Sequence, residues 1–416
     1  MEVVIVGGGI SGLVSAYKAA KEGKKAVLIE SKDKLGGMIG TTSTSFGIVE
    51  SAANGLIQTD SILDLCKDIN LTPIYTNAAA KKRYFWSKGK IKQIPVSFLE
   101  LLRGLYGFFF KEFTPKENES MKDIFFRVFG ETISLNIIEP AFGGIYASAL
   151  EEMDPQTVFS DLDWNNQKSL YRKLKSKKDK KRSVPAKLIS FPSGMGELIE
   201  KLIVFLEKNT TVLLNQRINS IEEIQNRYPN AEIKIALPFH SVYHLLKDSE
   251  VTEKKVSPFS ESDLPLQSIT SITVFSKSKL FPSQGFGILF PKNETIRAKG
   301  VLSNTDIFPG RSKEGVFSET WIYAGKIAKE QSLEGLISIL KQDRKQVSGK
   351  EEELSGVFGN EWKQSFPIYD KRLRFWNETI DEIEKEFENK GTSIRFLGNY
   401  RRGIGLRNLI ESALRL

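Results

Sequence analysis

The chain has 416 residues, 40% hydrophobic and 27% charged, with a formal net charge of +9. That length exceeds a single simple core and predicts two or three domains of ordinary globular composition. No apolar run reaches the roughly 18–20 residues of a membrane-spanning helix, Met1-Glu2 offers no basic leader, and the single cysteine, Cys66, excludes an internal disulfide and fits a reducing compartment.

In chain order, Val3, Val4, Ile5 and Val6 read as a strand buried on both faces. Gly7, Gly9 and Gly12 follow in G-x-G-x-x-G spacing, with Gly8, Ile10 and Ser11 between them. Gly7 permits the turn out of the strand, Gly9 lets a pyrophosphate approach the backbone, and Gly12 lets the next helix pack close. That helix carries Leu13, Ala16, Tyr17 and Ala20 at helical spacing and stops near Gly23. Ala26–Ile29 reads as a second strand. Glu30, 18 residues after Gly12 and followed by Ser31, sits where a carboxylate accepts the ribose hydroxyls of an adenosine. The glycines alone are a weak signal; with strand, helix, second strand and Glu30 in place they point to dinucleotide binding rather than to a ligand-free turn.

Past Glu30, Gly36, Gly37 and Met38 form a second glycine turn, and Ala52, Ala53, Asn54 and Gly55 a loop of small residues. On these features residues 1–55 resemble the amine-oxidase-like FAD superfamily, which implies that both loops flank the flavin and its diphosphate. Met38 stands where that family usually has arginine. Residues 56–75 read as a helix capped by Ser61, with Cys66 as apolar filler, and residues 83–95 as a hairpin turning at Lys88-Gly89. Residues 96–113 hold Phe98, Leu99, Leu101, Leu102, Leu105, Tyr106, Phe108, Phe109, Phe110 and Phe113 among few charges. They read either as a buried helix pair or as an apolar surface entering the lipid interface. Between Lys168 and Arg182 nine basic residues face one acid, Asp179. The bland reading is a solvated loop and the sharper one a contact with anionic lipid. Nucleic acid is disfavoured because only Tyr171 interleaves with the charges.

Pro140, Phe142, Gly144, Ile145, Tyr146 and Ala147 narrow the resemblance to the protoporphyrinogen oxidase family, in which such a stretch lines the substrate cavity. Ser148-Ala149 departs from that family's Gly-Asp. Gly194-Met195 resembles its return into the FAD domain, and Ile218 is then implied to meet the adenine. His240 and His244, the only histidines, stand i,i+4 on a helix without a third ligand nearby in sequence, so they read as packing or surface residues and no metal is expected. Residues 269–275 and 316–323 read as strands, and 332–341 and 381–389 as helices. Gly285 to Pro291 and Phe308-Pro309 continue the resemblance. At the end Asn399, Ile404, Gly405 and Leu406 are implied to close the FAD site, with helix N–H groups from about Ile404 onward aimed at the flavin's pyrimidine edge.

The expected fold is α/β: a Rossmann-type FAD-binding domain (1–76, 185–245 and 390–416), a mixed-sheet substrate domain (77–92 and 246–389), and a helical, membrane-associating insertion (93–184). The resemblance implies FAD as cofactor and oxidation of protoporphyrinogen IX to protoporphyrin IX, with O2 accepting six electrons as H2O2. Coproporphyrinogen III oxidation, another amine-oxidase-like FAD oxidase, and a flavin-bound membrane adaptor without turnover stand as alternatives. The flavin takes the hydride, so no catalytic acid or base is named. Arg83, Lys92 and Arg297 are candidate partners for the substrate's propionates. The implied setting is the cytoplasm, with peripheral contact to lipid at the inner face of the cell membrane and no nucleic acid, a homodimer being left open.

Overall fold

The computed structural model describes residues 2–116, 119–176, 184–401 and 403–416. Among these, the organising element is a parallel sheet in the order Thr210–Leu213, Ala26–Ile29, Val3–Val6, Glu232–Ile235, Ile394–Phe396. Its central strands are unbroken apolar runs because helices cover both faces. Val3 and Ile5 point toward the helices Ile10–Lys21, Gly196–Leu206 and Leu406–Arg415, while Val4 and Val6 point toward Phe239–Lys247 and Lys371–Asn389. Period-2 alternation thus sorts one strand's side chains into two cores. Cys66 lies in the first of them, and burial pushes its thiol up to about 12, which fits filler.

A second sheet runs Gly356–Pro367, Leu266–Ser276, Phe317–Ala324, Gly300–Leu302, Gly287–Leu289, Tyr84–Ser87, Lys90–Lys92. It is antiparallel except where Tyr84–Ser87 lies parallel to Gly287–Leu289. Trp321 and Tyr323 are fully buried in its core with Leu336 and Leu340 of the helix Leu333–Ser348. The hairpin forms at Lys88-Gly89 as its sequence requires, with both residues at positive φ.

Three local expectations shift. The helix after residue 56 spans Asp60–Asp68 and is capped by Thr59, whose hydroxyl accepts from Ile62 N; the Ser61 hydroxyl is bonded to Glu411 instead. The charged helix begins at Lys371, with Asp370 as its cap, and the last helix at Leu406. The strand Gly356–Pro367 has no counterpart in the sequence reading. Its glycines and polar residues carry little β propensity, and the strand pairs on one side only.

The described residues of 98–176 are mostly helical, around a core of Phe113, Met121, Ile124, Phe125, Val128, Leu150 and Met153. The helix Phe98–Phe110 opens on a capping box, Ser97 with Glu100. It packs with its glycines inward: a Cβ on Gly104 would lie 2.3 Å from Ile133 Cδ1, and one on Gly107 1.9 Å from Val128 O. Its large apolar residues face out, with Phe98 72%, Leu99 76% and Phe110 69% exposed. Against the reading of residues 96–113 as a buried helix pair, Phe98–Phe110 turns its large apolar side chains outward, while Phe113 is buried. Among the described residues no helix is long and apolar enough to cross a membrane. The basic segment is described only to Ser176, and its expected charges at 177–182 lie outside the described residues. Lys173, one of its nine cations, is buried, donating to Asp163 O and Asn166 O at 2.6 Å each, and burial pulls its pKa down.

Candidate functional site

All five strands of the parallel sheet run the same way, so the segments leaving their C-terminal ends share one edge. That edge gathers the glycine turn, Glu30 and Ser31, Leu237, and the loop 397–405. Gly7 turns at φ +107, where a Cβ would sit 2.5 Å from Ala236 O; on Gly12 it would sit 1.9 Å from Gly7 O. Gly9 differs: a Cβ there would meet only Gly37 Cα, at 3.9 Å. It caps the helix Ile10–Lys21 with no side-chain hydrogen bond, which leaves a cradle of unclaimed N–H groups at the positive end of a helix. Ile10 and Ser11 are buried in the first turn below it. The second glycine turn lies against the first, with Gly36 N donating to Gly8 O at 2.8 Å and Gly37 at φ +61. A diphosphate fits this place, since the space beside Gly9 is one that a side chain would fill.

Glu30 is held ready by Gly8 N, which donates at 2.7 Å, and Lys32 N, at 2.9 Å. Beside it a cleft of about 190 Å³ is lined by Ser31, Gln216, Ile218, Asn219, Leu237 and His244. Its position past the ends of Val3–Val6 and Ala26–Ile29 suits an adenosine, with Ile218 in its wall. On the other side, Ser51 Oγ donates to Met38 O at 2.6 Å and to Gly40 O at 3.0 Å, which ties the second glycine turn to the loop Ala52, Ala53, Asn54, Gly55. Gly55 has no room for a side chain, since a Cβ would lie 2.7 Å from Ile189 O. Ile404 and Gly405 lead into the last helix, whose N-cap, Gly405, is exposed, has open space at its Cα and makes no side-chain capping bond. Leu406 is buried in the same core as Ile10 and Leu13. The Lys18 Nζ donor on Arg415 O, at 3.1 Å, pairs the later halves of the first and last helices, so they run side by side and open on the same edge.

Several supporting residues carry no assigned role in the sequence reading. The strand Gly356–Pro367 brings Trp362 Nε1 to Ser51 O at 3.0 Å and Asn360 Nδ2 to Glu50 O at 3.4 Å, so the second sheet grips the small-residue loop. Glu50 is buried between Thr41 Oγ1, at 2.6 Å, Met195 N, at 3.0 Å, and the Arg311 guanidinium, at 3.8 Å. Burial raises the Glu50 pKa and lowers that of Arg311. Beside Glu50, Gly194 takes φ +95 against Thr41.

The stretch Gly144, Ile145, Tyr146, Ala147 ends the helix Glu139–Tyr146, with Ala147 left-handed at φ +60. Gly144 packs toward Leu289, Ile145 is exposed, and Ala147 is buried. Tyr146 stacks with Phe142 and meets Tyr369 edge-on at 5.0 Å; burial raises the pKa of both tyrosines. Tyr369 in turn donates its hydroxyl to Asn399 O, so this wall touches the loop expected to close the cofactor site. Ser148 is buried and accepts from Gln267 Nε2 at 2.8 Å, which gives that departure a structural role. Of the three cations considered for propionates, Arg297 is committed to Asp343 at 2.9 and 3.0 Å, and Arg83 lies over the Phe286 ring at 4.5 Å. Lys92 is exposed.

A family model described as an NAD(P)-binding Rossmann-like domain matches residues 5–69. Protoporphyrinogen oxidase 2, chloroplastic/mitochondrial, of Arabidopsis thaliana is 25% identical, covering 99% of this chain and 92% of its own. Coproporphyrinogen III oxidase of Bacillus subtilis is 22% identical, covering 98% and 95%. A crystal structure from Exiguobacterium sp. 255-15, described provisionally as a protoporphyrinogen oxidase, shares the fold with a TM-score of 0.76 at 18% identity, over 100% of this chain and 97% of that one. The dinucleotide edge and these likenesses lead to one conclusion: the chain is an FAD-dependent oxidoreductase with a Rossmann-type dinucleotide-binding domain, similar along its whole length to protoporphyrinogen oxidases.

Proposed function

We propose that this enzyme oxidises protoporphyrinogen IX to protoporphyrin IX, passing six electrons to O2 as three H2O2. Bound FAD supplies the hydride acceptor, which is the hard part of this chemistry. The chain supplies position and dryness. Gly7, Gly8, Gly9, Ile10, Ser11 and Gly12 would cradle the diphosphate, Glu30 and Ser31 the ribose, and Ile218 the adenine. Gly36, Gly37, Met38, Ala52, Ala53, Asn54 and Gly55 would flank the flavin, closed by Asn399, Ile404, Gly405 and Leu406.

One observation carries the substrate side. Tyr146 leans on Tyr369, and Tyr369 bonds Asn399, so an aromatic wall is continuous with the loop proposed to close the flavin site. A macrocycle lying on that wall would present its methylene bridges to the flavin while Phe142 and Tyr146 exclude water. The tyrosine hydroxyls stay protonated because burial raises their pKa values, so they offer neutral contacts rather than bases. The outward apolar face of Phe98–Phe110 supports a second element: docking of the enzyme from the cytoplasm on the inner face of the cell membrane, where a hydrophobic porphyrinogen partitions.

A second reading, oxidation of coproporphyrinogen III to coproporphyrin III, is favoured by the full-length likeness to the Bacillus enzyme. Purified flavoprotein given each porphyrinogen in air, with porphyrin fluorescence followed over the spontaneous rate, separates them. Faster turnover of protoporphyrinogen IX with H2O2 released is the expected result. Preference for coproporphyrinogen moves the enzyme to the second reading. A flavin-loaded protein inert toward both overturns porphyrinogen oxidation.

A further inference from the structure

The two histidines are not alone in the folded chain. His240 and His244 lie one turn apart on the helix Phe239–Lys247, and the turn Glu261–Asp263 brings a carboxylate to them. His240 Nε2 lies 2.9 Å from Glu261 Oε1, His244 Nε2 lies 3.4 Å from that same oxygen, and the two Nε2 atoms are 3.2 Å apart. Three ligand atoms therefore form a nearly equilateral triangle.

Protons satisfy such a triangle poorly. If each imidazole donates its Nε2 hydrogen to the shared oxygen, the two N–H groups crowd each other; if one does not, its lone pair must share with Glu261 the single N–H of the other ring. A single cation meets all three lone pairs at once. The size also fits. Ligands about 2.0–2.1 Å from a tetrahedral zinc ion stand about 3.3–3.4 Å from one another. The three measured edges are 2.9, 3.2 and 3.4 Å.

Both sides of the triangle are braced. The helix buries Phe239, Val242, Tyr243, Leu245 and Leu246, which fixes the face that carries the histidines. Tyr243 donates its hydroxyl to Phe259 O at 3.2 Å, joining the helix to the segment just before Glu261. The turn is held by Ser260 Oγ on Asp263 Oδ2 at 2.6 Å and by Arg372 on Asp263 O at 3.2 Å. Binding would therefore cost little ordering.

We infer that His240, His244 and Glu261 form a binding site for a divalent transition-metal ion of the zinc class, with the fourth position open to solvent. The site clips the helix Phe239–Lys247, which packs on the parallel sheet, to the turn that leads into Leu266–Ser276 of the second sheet. His244 also lines the cleft beside Glu30, so the ion fixes a ring in the wall of the nucleotide end. The role is structural, and porphyrinogen chemistry does not pass through it.

The test uses the full-length, FAD-loaded protein, stripped with a chelator and titrated with Zn²⁺ by calorimetry, with Tm followed in parallel. One Zn²⁺ per chain and a raised Tm are expected. His240→Ala and Glu261→Gln, at exposed positions, should retain FAD and each weaken binding by at least the roughly 10–100-fold lost when a supporting partner of a metal site is removed. Absence of saturable binding, or binding of full strength in both variants, overturns the assignment.

Discussion

Two helices, Ile10–Lys21 and Phe98–Phe110, use their glycines alike and their large side chains oppositely. A Cβ on Gly12 would lie 1.9 Å from Gly7 O, and one on Gly107 1.9 Å from Val128 O, so each helix is pressed against backbone at a glycine. In the first, Leu13, Val14 and Tyr17 are buried as well, because helices and sheet surround it. In the second the glycines take the inner face, and Phe98, Leu99, Leu102, Leu105, Tyr106, Phe109 and Phe110 are turned out. A helix's inner face is set by what approaches it most closely, not by which residues are most apolar. The continuity of the outward-turned residues along one helix distinguishes them from scattered surface residues.

This comparison breaks first at Gly12. Gly12→Ala should cost more than the roughly 1–3 kcal/mol of ordinary overpacking, because the obstructing atom is backbone of the glycine turn itself. The purified protein should come without flavin, as its visible absorbance reports. Gly107→Ala meets an equal overlap but far from the nucleotide edge. Its obstructing atom is backbone too, so it should likewise cost more than roughly 1–3 kcal/mol, measured by denaturant unfolding, with the folded fraction still carrying FAD. The smallest effect on stability sharpens the contrast most. Phe98→Ser, Leu102→Ser and Phe110→Ser together should each change folding by no more than about 0.5 kcal/mol, as at other exposed sites. Sedimentation with anionic vesicles should fall at least about a hundredfold, since three large apolar groups are lost from the bilayer contact. A large loss of stability instead would mean that the face is covered by protein.

The sequence was most legible where its constraints are local. The turn from Val6 through Gly12 and the hairpin at Lys88-Gly89 each depend on neighbours a few residues away, and each stands where its pattern places it. Legibility failed where the partner is distant. Gly356–Pro367 is a strand because Leu266–Ser276 lies beside it, not because Gly356, Gly359 and Asn360 favour one. Trp362 and Asn360 thereby reach the backbone of Ser51 and Glu50 from a strand that local sequence does not mark. Glu261 joins His240 and His244 across a connection of mostly polar residues with no metal spacing to mark it. Ser61 reads as the helix cap, but Thr59 takes that place, and both hydroxyls also reach the distant Glu411.

The interleaved sheet also has a consequence for how the protein is made. Its strands Val3–Val6 and Ala26–Ile29 emerge first, then wait while residues 30 to 209 are synthesised, and the strand Ile394–Phe396 arrives last. Such long-range pairing folds slowly, and nascent chains lengthen by only about 5–20 residues per second. The helical segment 98–176 has a core of its own and is complete well before the nucleotide edge. On the ribosome, then, the greasy outer face of Phe98–Phe110 is displayed while the cofactor site is still half built. A membrane surface or a chaperone that meets the nascent chain meets that helix before any flavin can bind.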